Sequence, residues 1–186
     1  MKKILFVNAC AREESRTKRL ADAVLAQIEG DVTEIDLFRE DIRPLDAEGL
    51  KRRDELLERN ELDDPVFRYA RLVAEADDIV IAAPYWDLSF PSVLKVFIEA
   101  VTVAGITFNY DETGRPVGYC RADRLIYVTT SGGPVGDNDF GYEYVEAVFR
   151  GMYGIGETVA VRLEDLDIFG NDPEEMLAEA IEKVRI

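Results

Sequence analysis

The sequence predicts an α/β fold in which a five-stranded parallel sheet lies between two layers of helices. Five short apolar runs alternate with stretches of helical periodicity. The first strand–helix–strand unit has the length of a right-handed parallel crossover. The run 78–83 is apolar without alternation, which is typical of a central strand covered on both faces. We therefore expect strand order 2-1-3-4-5, with a ligand crevice between the first and third strands.

The elements follow in chain order from the spacing of apolar residues and from helix-ending residues. Gly30 and Gly105 stand where helices should end, Asp172 is a predicted helix cap, and Pro65 fits a first helical turn capped by Asp63 or Asp64. The predicted strands are 3–8, 32–37, 78–83, 124–130 and 158–163. The predicted helices are 16–29, 47–58, 65–76, 92–104, 142–152 and 173–184. The stretch 106–122 contains a turn at 111–116 and predicts a hairpin.

Two segments carry further expectations. The stretch 39–78 is highly charged, which favours a solvated face, with a lid or a dimer contact as the alternatives. The helix 92–104 is apolar over more than half of its circumference, which predicts a partner helix from a second subunit. Neither repeats nor a linker interrupt the chain, so we expect residues 1–186 to form a single domain.

Composition excludes several classes of function. The 22 basic and 38 acidic residues give a net charge of −16, which disfavours binding to nucleic acid or anionic lipid. No apolar run is long enough for a membrane span, so we expect a cytoplasmic protein. Histidine is absent and the only cysteines are Cys10 and Cys120, which leaves no histidine-based catalysis and no predicted metal site. An enzyme of this composition needs a bound cofactor to carry its chemistry.

An aromatic loop follows the third strand. Pro84, Tyr85, Trp86 and Phe90 lie where ligands bind in open α/β sheets, and their rings suit a flat ligand. Aromatic residues that merely cap the core are the alternative interpretation.

Two more loops reach the same predicted sheet edge. Ser15-Arg16-Thr17 opens the first helix, where free amides, the helix dipole and two hydroxyls suit a phosphate, although Ser15 alone fits a simple N-cap. Thr130-Ser131-Gly132-Gly133 follows the fourth strand, and its glycines let the backbone approach a ligand, although a plain turn is the alternative.

These three loops resemble those of the flavodoxin-like FMN-dependent NAD(P)H:quinone reductases and NADH-azoreductases, and the resemblance covers nearly the whole chain. It implies a flavodoxin-like three-layer fold, an FMN cofactor, NAD(P)H as co-substrate and a homodimer. It also implies that the chemistry takes place on FMN, so that no catalytic side chain is expected. The residues implied to bind FMN are Ser15, Arg16, Thr17, Pro84, Tyr85, Trp86, Asp87, Leu88, Thr130, Ser131, Gly132 and Gly133. The residues implied to face substrate are Tyr85, Trp86, Phe108 and Tyr110.

The activity implied by the resemblance is hydride uptake from NAD(P)H and two-electron reduction of quinone, azo or nitroaromatic acceptors by a ping-pong mechanism. Departures from the family pattern include Cys10 in the first loop and Asp87-Leu88 after the aromatic pair. Two alternatives remain open from the sequence. One is a flavodoxin-type one-electron carrier, which the acidic surface also fits, and the other is an FMN-free interaction module that kept the fold.

Overall fold

A five-stranded parallel sheet forms the centre of the computed structural model, which describes residues 1–186. Its strands are β1 (Lys3–Asn8), β2 (Asp31–Asp36), β3 (Asp78–Ala82), β6 (Arg124–Thr130) and β7 (Glu157–Leu163), and their order is β2-β1-β3-β6-β7. The helices are α1 (Arg16–Leu25), α2 (Ala47–Glu58), α3 (Arg68–Glu75), α4 (Ser92–Val101), α5 (Tyr142–Gly151) and α6 (Pro173–Lys183). The predicted order 2-1-3-4-5 is confirmed, since β6 and β7 are the fourth and fifth strands of this sheet.

Helices cover both faces of the sheet because alternate side chains of each strand point to opposite sides. Leu5 and Val7 of β1 belong to a 28-residue core cluster that also contains residues of α3, α4 and α5. Ile4 and Phe6 belong to an 11-residue cluster that contains α1 and Leu177 of α6. The three layers expected from the sequence are therefore present.

Two helices end earlier than their apolar pattern predicts. After α1, the amides of Gln27 and Ile28 donate to carbonyls three residues earlier, which is the hydrogen-bond pattern of a 3₁₀ turn. The α-helix therefore ends before Gly30. After α4, the amide of Val103 bonds the Thr107 hydroxyl at 3.2 Å, which replaces a helical acceptor. Such competition from side chains cannot be read from periodicity.

The remaining segments follow the sequence closely. Residues Pro65–Phe67 form a 3₁₀ turn before α3, and Asp64 caps that turn by accepting from the amide of Val66 at 2.9 Å. The predicted hairpin is formed by β4 (Phe108–Tyr110) and β5 (Pro116–Gly118), which pair antiparallel. No helix of the chain combines the length and the apolar character that crossing a membrane would require.

Candidate functional site

A cleft of about 170 Å³ opens at the carboxyl edge of the sheet, where the loops after β1, β3, β6 and β7 meet. This is the position in which open α/β folds bind ligands. The loops contribute mostly polar groups, together with one aromatic wall. The lining residues are Ala11, Arg12, Glu14, Ser15, Arg16, Thr17, Pro84, Tyr85, Trp86, Thr130, Ser131, Gly132, Leu166 and Asp167. Nine of the twelve predicted cofactor-binding residues are among them.

One end of the cleft is formed by the first turn of α1. The Ser15 hydroxyl accepts from the amide of Lys18 at 3.3 Å, so Ser15 is the N-cap that the sequence allowed. The amides of Arg16 and Thr17 lie in the first turn, where a helix offers no internal acceptor. The Thr17 hydroxyl lies 2.7 Å from the Thr130 hydroxyl, which joins this turn to the loop after β6. The end of the cleft therefore collects hydroxyls and helix-dipole amides, which are groups that suit an anion.

Another part of the cleft is an aromatic wall, which is formed by Tyr85 and Trp86. The Tyr85 amide donates to the Thr130 carbonyl at 3.0 Å, which ties the loop after β3 to the loop after β6. Trp86 and Ser89 exchange two backbone hydrogen bonds, at 3.0 and 2.8 Å, so residues 86–89 form a tight turn. Trp86 is 41% exposed at the cleft and leaves apolar surface open to a ligand.

The loop after β7 is a part of the site that the sequence analysis missed. Its Asp167 amide donates to the Gly132 carbonyl at 2.8 Å, and its carboxylate contacts Arg16, with Oδ1 3.1 Å from Nη1. A side chain at position 132 would place its Cβ 2.4 Å from the Asp167 carboxylate, so the aspartate side chain would have to move away from Arg16 to accommodate it. The adjacency of the fourth and fifth strands in the predicted order is the signal that could have identified this loop.

Cys10 lies beneath the first loop and is 6% exposed. Burial raises the pKa of its thiol to about 11, although a hydrogen bond with Ser15 acts in the opposite direction. The thiol is therefore neutral at pH 7 and is unsuited to act as a nucleophile.

Five predicted residues lie outside this cleft. Asp87 and Leu88 form the exposed tip of the tight turn and have positive φ values of 51° and 67°. Gly133 has no atom within 4 Å of its Cβ position, and it does not line the cleft. Phe108 is 4% exposed in the core and packs against Tyr110, with ring centroids 5.2 Å apart. Neither Phe108 nor Tyr110 lines the cleft, and their roles toward substrate stay predictions.

Comparison with known proteins places this architecture in context. The family model described as flavodoxin-like fold matches residues 2–185. An FMN-dependent NADH:quinone oxidoreductase 2 of Clostridium acetobutylicum is 35% identical over 198 residues, which cover 100% of this chain and 97% of the relative. The FMN-dependent NADH:quinone oxidoreductase of Coprothermobacter proteolyticus is 33% identical, with 98% and 96% covered. The crystal structure of an azoreductase from Bacillus anthracis superposes with a TM-score of 0.84 at 26% identity, with 98% of this chain and 96% of that chain covered.

Proposed function

The chain belongs to the flavodoxin-like fold family, and we propose from this premise that it is an FMN-dependent oxidoreductase that uses NADH to reduce quinone or azo acceptors. The observation that carries the proposal is the single cleft in which hydroxyls, helix amides and aromatic rings meet at one sheet edge. Relatives that span almost the whole chain are named FMN-dependent NADH:quinone oxidoreductases.

The residues of the cleft fit FMN. The α1 turn, with Ser15, Thr17 and Arg16, supplies donors and positive charge for the phosphate group. Pro84, Tyr85 and Trp86 supply apolar surface for the ring system. The cleft thus contains both kinds of group that a molecule with a flat ring system and an anionic tail requires. The other predicted contacts of the ring stay predictions, and they are Asp87, Leu88, Thr130, Ser131, Gly132 and Gly133.

Bound FMN would supply the chemistry of accepting a hydride and releasing two electrons. The chain's own part is to bind, orient and shield. The α1 turn would hold the phosphate through amides, hydroxyls and Arg16 rather than through lysine. Such local groups are needed because the net charge of −16 repels free anions. The bonds from Tyr85 and Trp86 to neighbouring backbone hold the aromatic wall in place. No side chain of the cleft is assigned a proton-transfer role.

We propose a ping-pong order in which NAD(P)H leaves before a quinone, azo or nitroaromatic acceptor binds at the same aromatic surface. Trp86 offers one exposed aromatic surface at the cleft, which supports a single site that the two substrates occupy in turn. Steady-state rates measured over several fixed acceptor concentrations test the order. Parallel double-reciprocal lines are expected, and intersecting lines would reject it.

We also propose a homodimer. Trp86, Leu88 and Phe140 are 41%, 50% and 55% exposed, and Phe140 lines an open groove together with Phe90 and Tyr144. An exposed apolar surface of this kind favours a protein partner. Sedimentation of the wild type and of a Phe140→Asp variant tests the proposal, and a monomeric wild type would exclude it.

Two further predictions from the sequence carry over as proposals. Residues 1–186 form a single FMN-binding domain, because α6 at one end of the chain packs in the same core cluster as β1 at the other. A cytoplasmic location also stays a prediction.

The decisive experiment is anaerobic addition of NADH to protein loaded with FMN. Rapid bleaching of the flavin absorbance, followed by its return when a quinone is added, is the expected result. Persistent oxidised absorbance would favour a one-electron carrier that needs a partner reductase. A protein that acquires no flavin absorbance with added FMN would favour an interaction module without cofactor.

A further inference from the structure

The loop before α5, residues 138–141, is hydrogen-bonded to the loop that carries the aromatic wall. The Tyr85 hydroxyl donates to the Asn138 carbonyl at 2.9 Å. The Phe140 amide donates to the Leu88 carbonyl at 3.2 Å, and the Ser89 hydroxyl donates to the Phe140 carbonyl at 3.3 Å. Three hydrogen bonds therefore connect this loop to the residues that flank Trp86. The position of the wall depends on whatever fixes the loop.

Asp139 lies between the two residues that make these contacts, and it is only 6% exposed. Its Oδ1 accepts from the amides of Gly141 at 3.2 Å and Tyr142 at 2.9 Å, which anchors the loop to the start of α5. Its Oδ2 lies 2.6 Å from Nη2 of Arg162 on β7, which is an ion pair without hydrogen-bond geometry. The Arg162 guanidinium lies over the Tyr142 ring, 5.1 Å from its centroid. One carboxylate thus joins the loop, the helix and the edge strand of the sheet.

The surroundings of Asp139 offer no other positive charge in contact with it. The hydroxyls of Tyr127 and Thr129 are buried on the same face of β6 and have no hydrogen-bond partner. A side chain at position 141 would place its Cβ 3.1 Å from the Tyr127 hydroxyl and 3.3 Å from Oδ1 of Asp139, so the packing here is tight. A buried carboxylate requires a charged partner, and Arg162 is the one that meets this requirement.

We propose that Asp139 is a positioning residue for the flavin site, acting through the Arg162 ion pair to fix the loop that supports Tyr85 and Trp86. The inference rests on the proposed function, because it assigns the aromatic wall to the ring of FMN. Asp139 does not line the cleft and acts only through the backbone on either side of it. Its loss should therefore weaken binding of the ring while the phosphate contacts at α1 remain.

The test compares Asp139→Asn with Asp78→Asn. Asp78 is the control, because it is 1% exposed, pairs with Lys2 at 3.1 Å and with Arg124 at 3.4 Å, and begins the central strand β3, at the end of that strand away from the cleft. The readouts are the dissociation constant of FMN, the visible absorption band of the bound flavin, and hydrogen exchange of the Phe140 amide in protein without FMN. Urea unfolding of each variant measures its stability.

For Asp139→Asn we expect FMN binding to weaken about tenfold, the flavin band to shift, and the Phe140 amide to exchange at least tenfold faster. Asp78→Asn should lower stability and change none of these three. Arg162→Lys, which retains the charge, should stay close to wild type, whereas Arg162→Met should reproduce Asp139→Asn.

Two results would count against the inference, and they are separable from failure of the proposed function. If both aspartate variants lose stability while FMN affinity and the flavin band stay unchanged, Asp139 is a structural residue only. If Arg162→Met behaves as wild type, the ion pair does not fix the loop. If the wild type binds no FMN at all, the proposed function itself fails.

Discussion

Replacing Ser15 by alanine separates the two roles that this residue can hold, helix cap and phosphate ligand. The change removes the hydroxyl of a residue that is 8% exposed and leaves no cavity larger than that oxygen. As a cap, Ser15 accepts one bond of 3.3 Å from Lys18, which is long for this type of bond. Loss of an N-cap costs about 0.5–2 kcal/mol, and the long bond places the expected loss of unfolding free energy near the lower end.

The cost to phosphate binding should be larger. A hydrogen bond to a charged group contributes about 1.5–3 kcal/mol, which corresponds to about a ten- to hundredfold weaker dissociation constant for FMN. Riboflavin has the same ring without the phosphate, so its affinity should stay within about twofold of wild type. The ratio of the two dissociation constants, measured by quenching of flavin fluorescence, is therefore the diagnostic quantity.

Asp46→Ala is the matched control. Asp46 caps α2 by accepting from the amide of Gly49 at 2.8 Å, and it does not line the cleft. This variant should lose about 1 kcal/mol of unfolding free energy, and its FMN affinity should not change. Equal ratios of FMN to riboflavin affinity in wild type and Ser15→Ala would refute the assignment of phosphate to the α1 turn.

Three other predictions test the site and its surroundings. Asp167→Asn should tighten FMN binding a few-fold at low salt, because it removes the carboxylate beside Arg16. Titrations at low and high salt should show that this increase in FMN affinity becomes smaller as salt screens the charges. Leu88→Gly should raise the unfolding free energy by about 0.5–1 kcal/mol in urea denaturation, because Leu88 has a φ of 67° that glycine adopts without strain. Burial raises the pKa of Cys10 from its usual value near 9 to about 11. Between these two pH values only the unfolded thiol loses its proton, so the unfolding free energy should fall as pH rises from about 9 to about 11. Urea midpoints across this range measure the effect, which Cys10→Ala should reduce.

Each of these three predictions has an outcome that contradicts it. Weaker FMN binding by Asp167→Asn would show that the carboxylate orients Arg16 more than it repels the phosphate. A destabilised Leu88→Gly would mean that the packing of the leucine side chain outweighs its backbone strain. An alkaline loss of stability that is identical with and without Cys10 would assign the effect to other buried groups.

Local patterns account for much of what the sequence predicted correctly. All five strands of the sheet and all six helices were predicted from the sequence. Each of these elements buries one or both of its faces, so its apolar residues recur with a fixed period. Their order followed from the usual arrangement of five parallel strands in doubly wound sheets. Ser15, Tyr85 and Thr130 were placed at the same edge because the carboxyl ends of parallel strands meet there.

Other features depend on contacts between distant parts of the chain. Phe108 is an aromatic residue that was predicted to face substrate. It is instead buried against Tyr153, 45 residues further along the chain, with ring centroids 6.5 Å apart. Asp167 reaches the cleft only because β7 lies beside β6, and the pairing of Asp139 with Arg162 joins a loop to a strand.

The sequence by itself thus determined the strand order and the edge at which a ligand binds, since both follow from local periodicity and chain connectivity. Only the tertiary structure decided which side chains face the cleft, which are buried in the core, and which charges pair. Those outcomes depend on the rotation and closeness of elements far apart in the chain, and these are set by the packing of the whole core.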